Sequence, residues 1–151
     1  MKLYKNYING KWIESNSKKT FLSLNPFNEK PLGKFQQSNE KDVDLAIDAA
    51  KNAFKEWSET PAPKRGEILF EVSRLLKKNK QRLGKLVTIE MGKVLKEALG
   101  DVQEAIDVFE YMAGEGRRLF GHTTPSELKN KFCMTIRRPL GVVSLITPWN
   151  F

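Results

Sequence analysis

Apolar residues recur at intervals of three and four along three stretches of the chain, the pattern of helices with one buried face. The first stretch ends at Trp57, before the proline-containing segment 58–66. The second ends near Gly84, which we interpret as a break or bend, and a short segment, 85–93, follows it. The third predicts a long helix that ends within 113–121. The three stripes comprise Val43, Ala46, Ile47, Ala50, Ala53, Phe54 and Trp57; Ile68, Leu69, Val72, Leu75, Leu76 and Leu83; and Leu95, Ala98, Val102, Ala105, Ile106, Phe109, Met112 and Ala113.

The start of the first helix carries its own signal. Ser38 or Asn39 is expected to cap it, because short polar side chains accept hydrogen bonds from free backbone N–H groups. Asp42 falls in the first turn, where the helix dipole favours a negative charge.

Before the first helix, strand-forming residues surround two turn signals. Residues 4–13 predict a hairpin, because Asn9-Gly10 can adopt the positive φ angles of a type I′ turn and strand formers flank it. A second strand pair is predicted from 20–26 and 34–37, on either side of the turn-rich segment 25–33.

The last third of the chain returns to strand patterns. Residues 122–130 are polar and predict a loop, whereas 131–139 alternate and predict a strand that ends at Pro139. Residues 141–147 form a continuous apolar run rich in β-branched residues, which favours a strand buried on both faces of a parallel sheet. A parallel sheet needs further strands and long crossovers, and no residues remain for them. We therefore expect the last strand to be poorly paired and the chain to be the front end of something larger.

Composition limits the class of protein. The chain has 151 residues, 40% hydrophobic and 29% charged, enough for one domain with a core. No apolar run approaches the roughly 20 residues of a membrane span, and no secretory signal opens the chain, so no membrane partner is expected. The single Cys133 and single His122 exclude an internal disulfide and disfavour a metal site, which indicates a cytoplasmic protein.

The net charge of +8 admits a polyanionic partner such as nucleic acid. A lysine-rich solvated surface explains it better, because lysines are interleaved with acidic residues and no nucleic-acid motif occurs. We therefore expect no nucleic-acid partner.

Most residues with reactive side chains have a simple structural explanation. Cys133 lies in an alternating strand and His122 in a loop, so a catalytic thiolate–imidazole pair is disfavoured. A G-x-G sequence closes a helix instead of opening one, so its glycines and the next one are interpreted as helix-end residues and not as a phosphate loop: Gly114, Gly116 and Gly121. The arginine pairs 117–118 and 137–138 could hold anions, but pairing with a partner subunit's carboxylates or plain solvation is favoured.

The segment 146–150 has the strongest chemical interest. Ligands of open parallel sheets bind beyond the carboxyl ends of the strands, where Ile146, Thr147, Pro148 and Trp149 are expected. Asn150 offers two uncharged N–H donors, the kind of group that an oxyanion hole needs. Asparagine is also common in turns, so residue chemistry alone leaves Asn150 open between an oxyanion donor and a turn former.

The sequence resembles the aldehyde dehydrogenase superfamily over essentially its whole length. The segment 137–151, "RRPLGVVSLITPWNF", looks like that family's entry into its cofactor domain. "YINGKWIES" and "NPFNEKPLGKF" resemble its two hairpins, "VDLAIDAAKNAFKEW" and "KRGEILFEVSRLL" its first two helices, and "EMGKVLKEALGDV" its E-x-G-K-x-x-x-E-A segment. The stretch "GEGRRLFGHTTPSEL" leans toward the branch that includes semialdehyde dehydrogenases.

The resemblance implies an α/β fold, present here only as its N-terminal part. Residues 1–128 would form hairpins and helices of the cofactor domain, 129–139 an oligomerisation strand, and 140–151 the first strand of a dinucleotide-binding sheet. The implied reaction is oxidation of an aldehyde to a carboxylic acid with NAD or NADP. The motif would make Asn150 the catalytic oxyanion-hole amide, and Ile146, Thr147, Pro148 and Trp149 the lining of the cofactor site.

The departures from the family concern the missing groups. The family's nucleophilic cysteine, base glutamate and glycine motif have no counterpart here, and Cys133 does not match the nucleophile's motif. We therefore expect a truncated chain that neither oxidises aldehydes nor binds NAD tightly alone. The alternative is a non-catalytic module that associates with a full-length paralogue or with copies of itself.

Overall fold

The computed structural model describes residues 1–148, which form a mixed α/β arrangement of short strands and three helices. Trp149, Asn150 and Phe151 lie outside the described residues. The strands are β1 (Leu3–Tyr4), β2 (Asn6–Ile8), β3 (Lys11–Ile13), β4 (Thr20–Leu24), β5 (Pro31–Gln36), β6 (Thr123–Thr124) and β7 (Cys133–Met134). The helices are α1 (Glu40–Glu59), α2 (Ala62–Met91) and α3 (Leu95–Glu115).

The predicted N-terminal hairpin is confirmed as the antiparallel pair of β2 and β3. Asn9 and Gly10 join the strands with φ angles of 50° and 75°, as a type I′ turn requires. Tyr7 faces Trp12 across the pair, with ring centroids 4.9 Å apart, so the strands are also held by an aromatic contact.

The second predicted strand pair is confirmed as β4 and β5, which run antiparallel. β5 also takes β1 as a parallel neighbour, giving a three-stranded sheet in the order β1-β5-β4. Phe35 lies at its centre, stacked on Tyr4 at 4.7 Å and on Phe21 at 5.8 Å between ring centroids. These aromatic contacts join the N-terminal residues to the second hairpin.

Asn39 is the N-cap of α1, one of the two predicted capping residues. Its side chain accepts the N–H of Asp42, while the Asp42 carboxylate accepts the N–H of Asn39, so the two residues form a reciprocal capping box. α1 ends at Glu59, just before Pro61, whose ring cannot continue the helix.

The second helix corrects the predicted break at Gly84. α2 is continuous over thirty residues, and Gly84 is buried within it. A Cβ at this position would lie 2.6 Å from Cδ2 of Leu99, so the absent side chain lets α3 approach closely. The helix ends instead at Gly92, whose φ of 81° is the left-handed conformation of a helix C-cap.

The core of the described residues lies between α2 and α3. The buried apolar side chains of the described residues all lie on α3, and they are Ala98, Val102, Ile106 and Ala113. On α2, Gly66 and Ser73 are buried opposite them. The backbone of Gly66 closely approaches Ala113, and Ser73 Oγ donates to Glu110 at 3.0 Å, so the two helices form an antiparallel hairpin.

The glycines after α3 divide into two kinds. Gly114 lies in the last turn and Gly116 is the C-cap, so both are helix-end residues as predicted. Gly121 is not: it lies against the Thr135 carbonyl, where a Cβ would come within 2.0 Å of the oxygen. A glycine is needed there because the backbone of Thr135, the residue after β7, passes directly beside it.

The predicted loop and strand between residues 122 and 139 are also corrected. Thr123 and Thr124 form β6 within the expected loop, and only Cys133–Met134 of the expected strand pair with it. Phe132, Met134 and Ile136 are each more than half exposed, so the alternating side chains of this segment do not cover the core of the described residues.

The predicted strand over 141–147 is absent, since residues 140–148 have no regular secondary structure. Leu145 and Ile146 are 85% and 91% exposed. A strand of this composition needs neighbouring strands for its hydrogen bonds, and the described residues provide none beside it. The expectation that this segment would be poorly paired is met.

Candidate functional site

Residues 141–148, which lead into the predicted ligand site at 146–150, begin against the rest of the molecule and end exposed. Val142, Val143 and Ser144 border a cavity of about 650 Å³. Ile146, Thr147 and Pro148 follow as an exposed extension. The structure therefore brings the start of the segment to the cavity, whereas the predicted Trp149 and Asn150 lie outside the described residues.

Two structural elements contribute most of the remaining lining of this cavity. α1 contributes Asp42, Val43 and the apolar stripe that follows them, and the β2 strand contributes Tyr7 and Ile8. The walls are predominantly apolar because the predicted stripe of α1 faces this space. The first half of the stripe, from Val43 to Ala50, therefore faces the 142–144 segment and the hairpin, whereas α2 and α3 pack on each other.

A buried carboxylate joins α1 to the chain that leaves the first hairpin. Asp42 is 2% exposed, and its oxygens accept hydrogen bonds from the Ser15 hydroxyl at 2.5 Å and the Asn39 N–H at 2.9 Å. They also accept the backbone N–H of Asn16 at 2.8 Å and its side-chain amide at 3.0 Å. Ser15 is itself fully buried and accepts the N–H of Ser17. Every donor in this cluster is neutral.

These contacts explain the acidity of the group. The Ser15 hydroxyl, followed by the N–H groups of Asn16 and Asn39, holds the pKa of Asp42 well below its usual range. The carboxylate is therefore ionised at neutral pH and its oxygens are already occupied by donors. Its hydrogen bonds hold one wall of the cavity in place. It does not act as a general base, which would need a free oxygen.

From the sequence alone, Asp42 is expected only to interact with the dipole of α1. The spacing Asn39-x-x-Asp42 is a local signal that would have identified the capping box. The bonds to Ser15 and Asn16 span 26 to 27 residues of sequence, so no local pattern could have identified them.

The other reactive candidates lie apart from this cavity. Cys133 is a free, exposed thiol in β7, opposite Thr124, and the His122 N–H donates to the Thr135 hydroxyl at 2.9 Å. Arg118 is ion-paired with Glu115 of its own chain. Over residues 1–148, no group of three His, Cys, Asp or Glu side chains is arranged to hold a metal ion, and no helix is long and apolar enough to cross a membrane.

Comparison with known proteins gives a consistent result. Residues 12–151 match the family model described as "Aldehyde dehydrogenase family". The chain is 43% identical to malonate-semialdehyde dehydrogenase from Halalkalibacterium halodurans, over 97% of this chain and 30% of that protein. It is 42% identical to alpha-ketoglutarate semialdehyde dehydrogenase from Haloferax volcanii, over 97% of this chain and 31% of that protein.

A solved structure shows the same arrangement in three dimensions. Betaine aldehyde dehydrogenase from Staphylococcus aureus, a double mutant in complex with NAD⁺, superposes with a TM-score of 0.93 at 32% identity. The match covers 97% of this chain and 30% of that one. The chain thus spans about 30% of the length of the relatives that it matches.

Proposed function

Because the chain belongs to the aldehyde dehydrogenase family, we propose that it forms the N-terminal part of an enzyme that oxidises an aldehyde to a carboxylic acid with NAD or NADP. The observation that carries this proposal is the family match over residues 12–151, which extends through the segment 146–150. The agreement of the fold with a solved family member over 97% of the chain supports it. Under this proposal, the nucleophile and the base belong to the part of the family's length that this chain does not match.

The proposed roles follow the chemistry of each side chain. Ile146, Thr147, Pro148 and Trp149 would line the cofactor site, and Asn150 would donate a hydrogen bond to the oxyanion of the reacting aldehyde. The exposed Ile146 and Pro148 fit one apolar wall of such a site. NAD(P), when bound, accepts the hydride that leaves the substrate. Asn150 stabilises the developing negative charge without carrying a competing charge of its own.

The substrate class follows from the relatives. Two similar proteins are named for semialdehydes, which carry a carboxylate in addition to the aldehyde. A semialdehyde is therefore the substrate that we propose to test first. The proposal also places the protein in the reducing cytoplasm, where the exposed Cys133 thiol would stay free.

A chimera tests this function directly. The 151 residues replace the matching 30% of the Halalkalibacterium halodurans enzyme, and NADH or NADPH formation from malonate semialdehyde is followed. We expect an active chimera, and we expect Asn150→Ala to lower kcat by roughly 10²–10³-fold, as the loss of an oxyanion donor does. The relative's own N-terminal part, rejoined at the same boundaries, is the control. A folded chimera with no activity, or one unaffected by Asn150→Ala, would contradict the proposal.

A second candidate function is association with a dehydrogenase without catalysis. It is favoured by the exposed alternating side chains Phe132, Met134 and Ile136 in the segment 129–139, which we propose as an oligomerisation arm. The partner would be a full-length paralogue or another copy of this chain. Co-purification with a tagged family member should be lost on Ile136→Asp and kept on Thr135→Asp, which alters the alternate face. Failure of the unaltered chain to co-purify would exclude this function.

A further inference from the structure

A second cavity, of about 690 Å³, lies where α1 meets α2. The helix side contributes Trp57, Pro61 and Arg65, and the other side is formed by residues 137–139 and Gly141. Arg65 and Arg138 are 73 positions apart in sequence, so the fold brings basic residues from two distant segments to one space. A volume of this size suits a small molecule.

The charge in this second cavity is unbalanced. Its lining includes Arg65, Arg137 and Arg138 but only one acidic residue, Glu59, which leaves a formal charge of +2. None of the three arginines forms an ion pair with a carboxylate of residues 1–148. Other arginines are neutralised locally, as in the pairs Arg74–Glu71 and Arg118–Glu115. The second cavity thus collects guanidinium groups that the described part of the chain does not neutralise.

Two of these guanidinium groups are held in place by neutral contacts. Arg65 donates to the Thr60 carbonyl and lies over the Trp57 ring, 5.9 Å from its centroid. Arg137 donates through Nε to the Phe120 carbonyl at 3.1 Å. Each guanidinium has five N–H donors, so donors remain for a ligand. Arg138 makes no hydrogen bond with the described residues.

The first turn of α2 adds a weaker positive potential to the second cavity. Pro61 and Ala62 line the second cavity, and the proline cap supplies no side-chain acceptor for the first N–H groups of this thirty-residue helix. The positive end of the helix dipole therefore faces the space that the arginines border.

From these contacts we propose that the second cavity binds the phosphate group of a small molecule. A phosphate dianion matches the formal charge of +2, and its oxygens accept more hydrogen bonds from guanidinium forks than a carboxylate does. The exposed indole of Trp57 offers a surface for a ring attached to that phosphate. The site is separate from the described part of the proposed cofactor wall, since Ile146, Thr147 and Pro148 do not line the second cavity.

Calorimetric titration of the 151-residue chain with inorganic phosphate and with ADP, at low salt, tests the proposal. Both ligands should bind, and Arg138→Gln should weaken each by about tenfold or more, as the loss of a charged hydrogen bond does. The matched control is Arg82→Gln, which removes the same charge from α2 at a residue that does not line the second cavity and should change the affinity less than about twofold. Tighter binding of ADP would mean that a nucleotide carries the phosphate, and equal binding would mean free phosphate.

Three results would overturn the site. They are no heat of binding with either ligand, equal weakening by both substitutions, and binding of an acidic peptide without binding of phosphate. Since Arg138 makes no hydrogen bond or ion pair with the described residues, its replacement should leave the circular dichroism spectrum unchanged. Weaker binding by this variant would then reflect the loss of the site and not the loss of the fold.

Discussion

Asp42 shows how a single buried charge can hold distant parts of this chain together. Its carboxylate accepts bonds from the chain after β3 and from the cap of α1, so one residue fixes both the start of a helix and the exit of a hairpin. A buried charge without such donors would be strongly unfavourable. The neutral donors around it therefore determine whether this part of the fold is stable.

Acid should weaken the hydrogen bonds that the Asp42 carboxylate accepts. Because the pKa of Asp42 is lower in the folded chain than in the unfolded one, its contribution is fully present above the unfolded value of about 4 and is lost as the pH falls below it. Asp42→Asn should lower stability at pH 7 and flatten the fall in the free energy of unfolding below about pH 4. Urea unfolding at a series of pH values measures both effects.

The remaining acid dependence has other sources. Lys77 lowers the pKa of Glu110, and Lys5 lowers that of Glu14, so part of the slope should persist in the variant. Asp48→Asn, an exposed change on the same helix, is the control. If the free energy of unfolding of Asp42→Asn depended on pH in parallel with that of the unaltered chain, the Asp42 carboxyl group would not titrate as described.

Residue roles were predictable only where the signal is local. Asn39 was one of two expected caps because a cap depends on its own helix. The partners Ser15 and Asn16 depend on how the chain folds back, which no short pattern contains. For Asn150, side-chain chemistry alone fits two roles, an oxyanion donor and a turn former. Only the family pattern around it favours the oxyanion donor.

Gly84 controls how closely two helices pack. The sequence predicts a break at this residue because glycine weakens helices in isolation, but in the structure α3 fills the space that its missing side chain leaves. Glycine therefore weakens a helix considered alone but allows close packing in a helix pair. Tertiary contact with Leu99 decides between them.

Gly84→Ala should destabilise the chain by about 1–3 kcal/mol, because the added methyl group overlaps Leu99 and forces the helices apart. Gly100→Ala is the matched control, since it lies within α3 with nothing near its Cβ position. That change should stabilise the chain by about 0.5–1 kcal/mol. Urea midpoints distinguish the two, and similar stabilisation by both would refute the close packing at Gly84.

Strand predictions succeeded where pairing is local and failed where it is not. The hairpin of β2 and β3 closes through its own turn, so residues 6–13 contain all that it needs. Residues 141–147 have the composition of a buried strand, but such a strand exists only beside others. The pattern indicated the kind of environment that this segment suits, and the described residues do not provide that environment.

The whole molecule exposes far more surface than its mass requires. Its accessible area is 12351 Å², whereas a compact monomer of 17.3 kDa would expose roughly 7,800 Å². Large apolar side chains on each helix contribute, among them Trp57, Phe70 and Tyr111. The fully buried core is correspondingly small. Stability therefore rests mainly on the α2–α3 hairpin and the aromatic contacts of the sheets.

This large native surface has a thermodynamic consequence. The unfolded chain would expose about 25,000 Å², so folding buries only about half of it, compared with roughly 70% for a compact domain. The urea m-value of the isolated chain should accordingly be about three-quarters of that of a compact domain of equal length. An m-value equal to the compact domain's, at a concentration where sedimentation shows a monomer, would contradict this.

The heat-capacity change of unfolding should also be smaller than that of a compact domain, because large apolar side chains such as Trp57 and Tyr111 are already exposed to water in the folded chain. A small heat-capacity change flattens the dependence of stability on temperature. The isolated chain should therefore melt over a broad range, with a weak calorimetric peak, and have no sharp optimum of stability near room temperature.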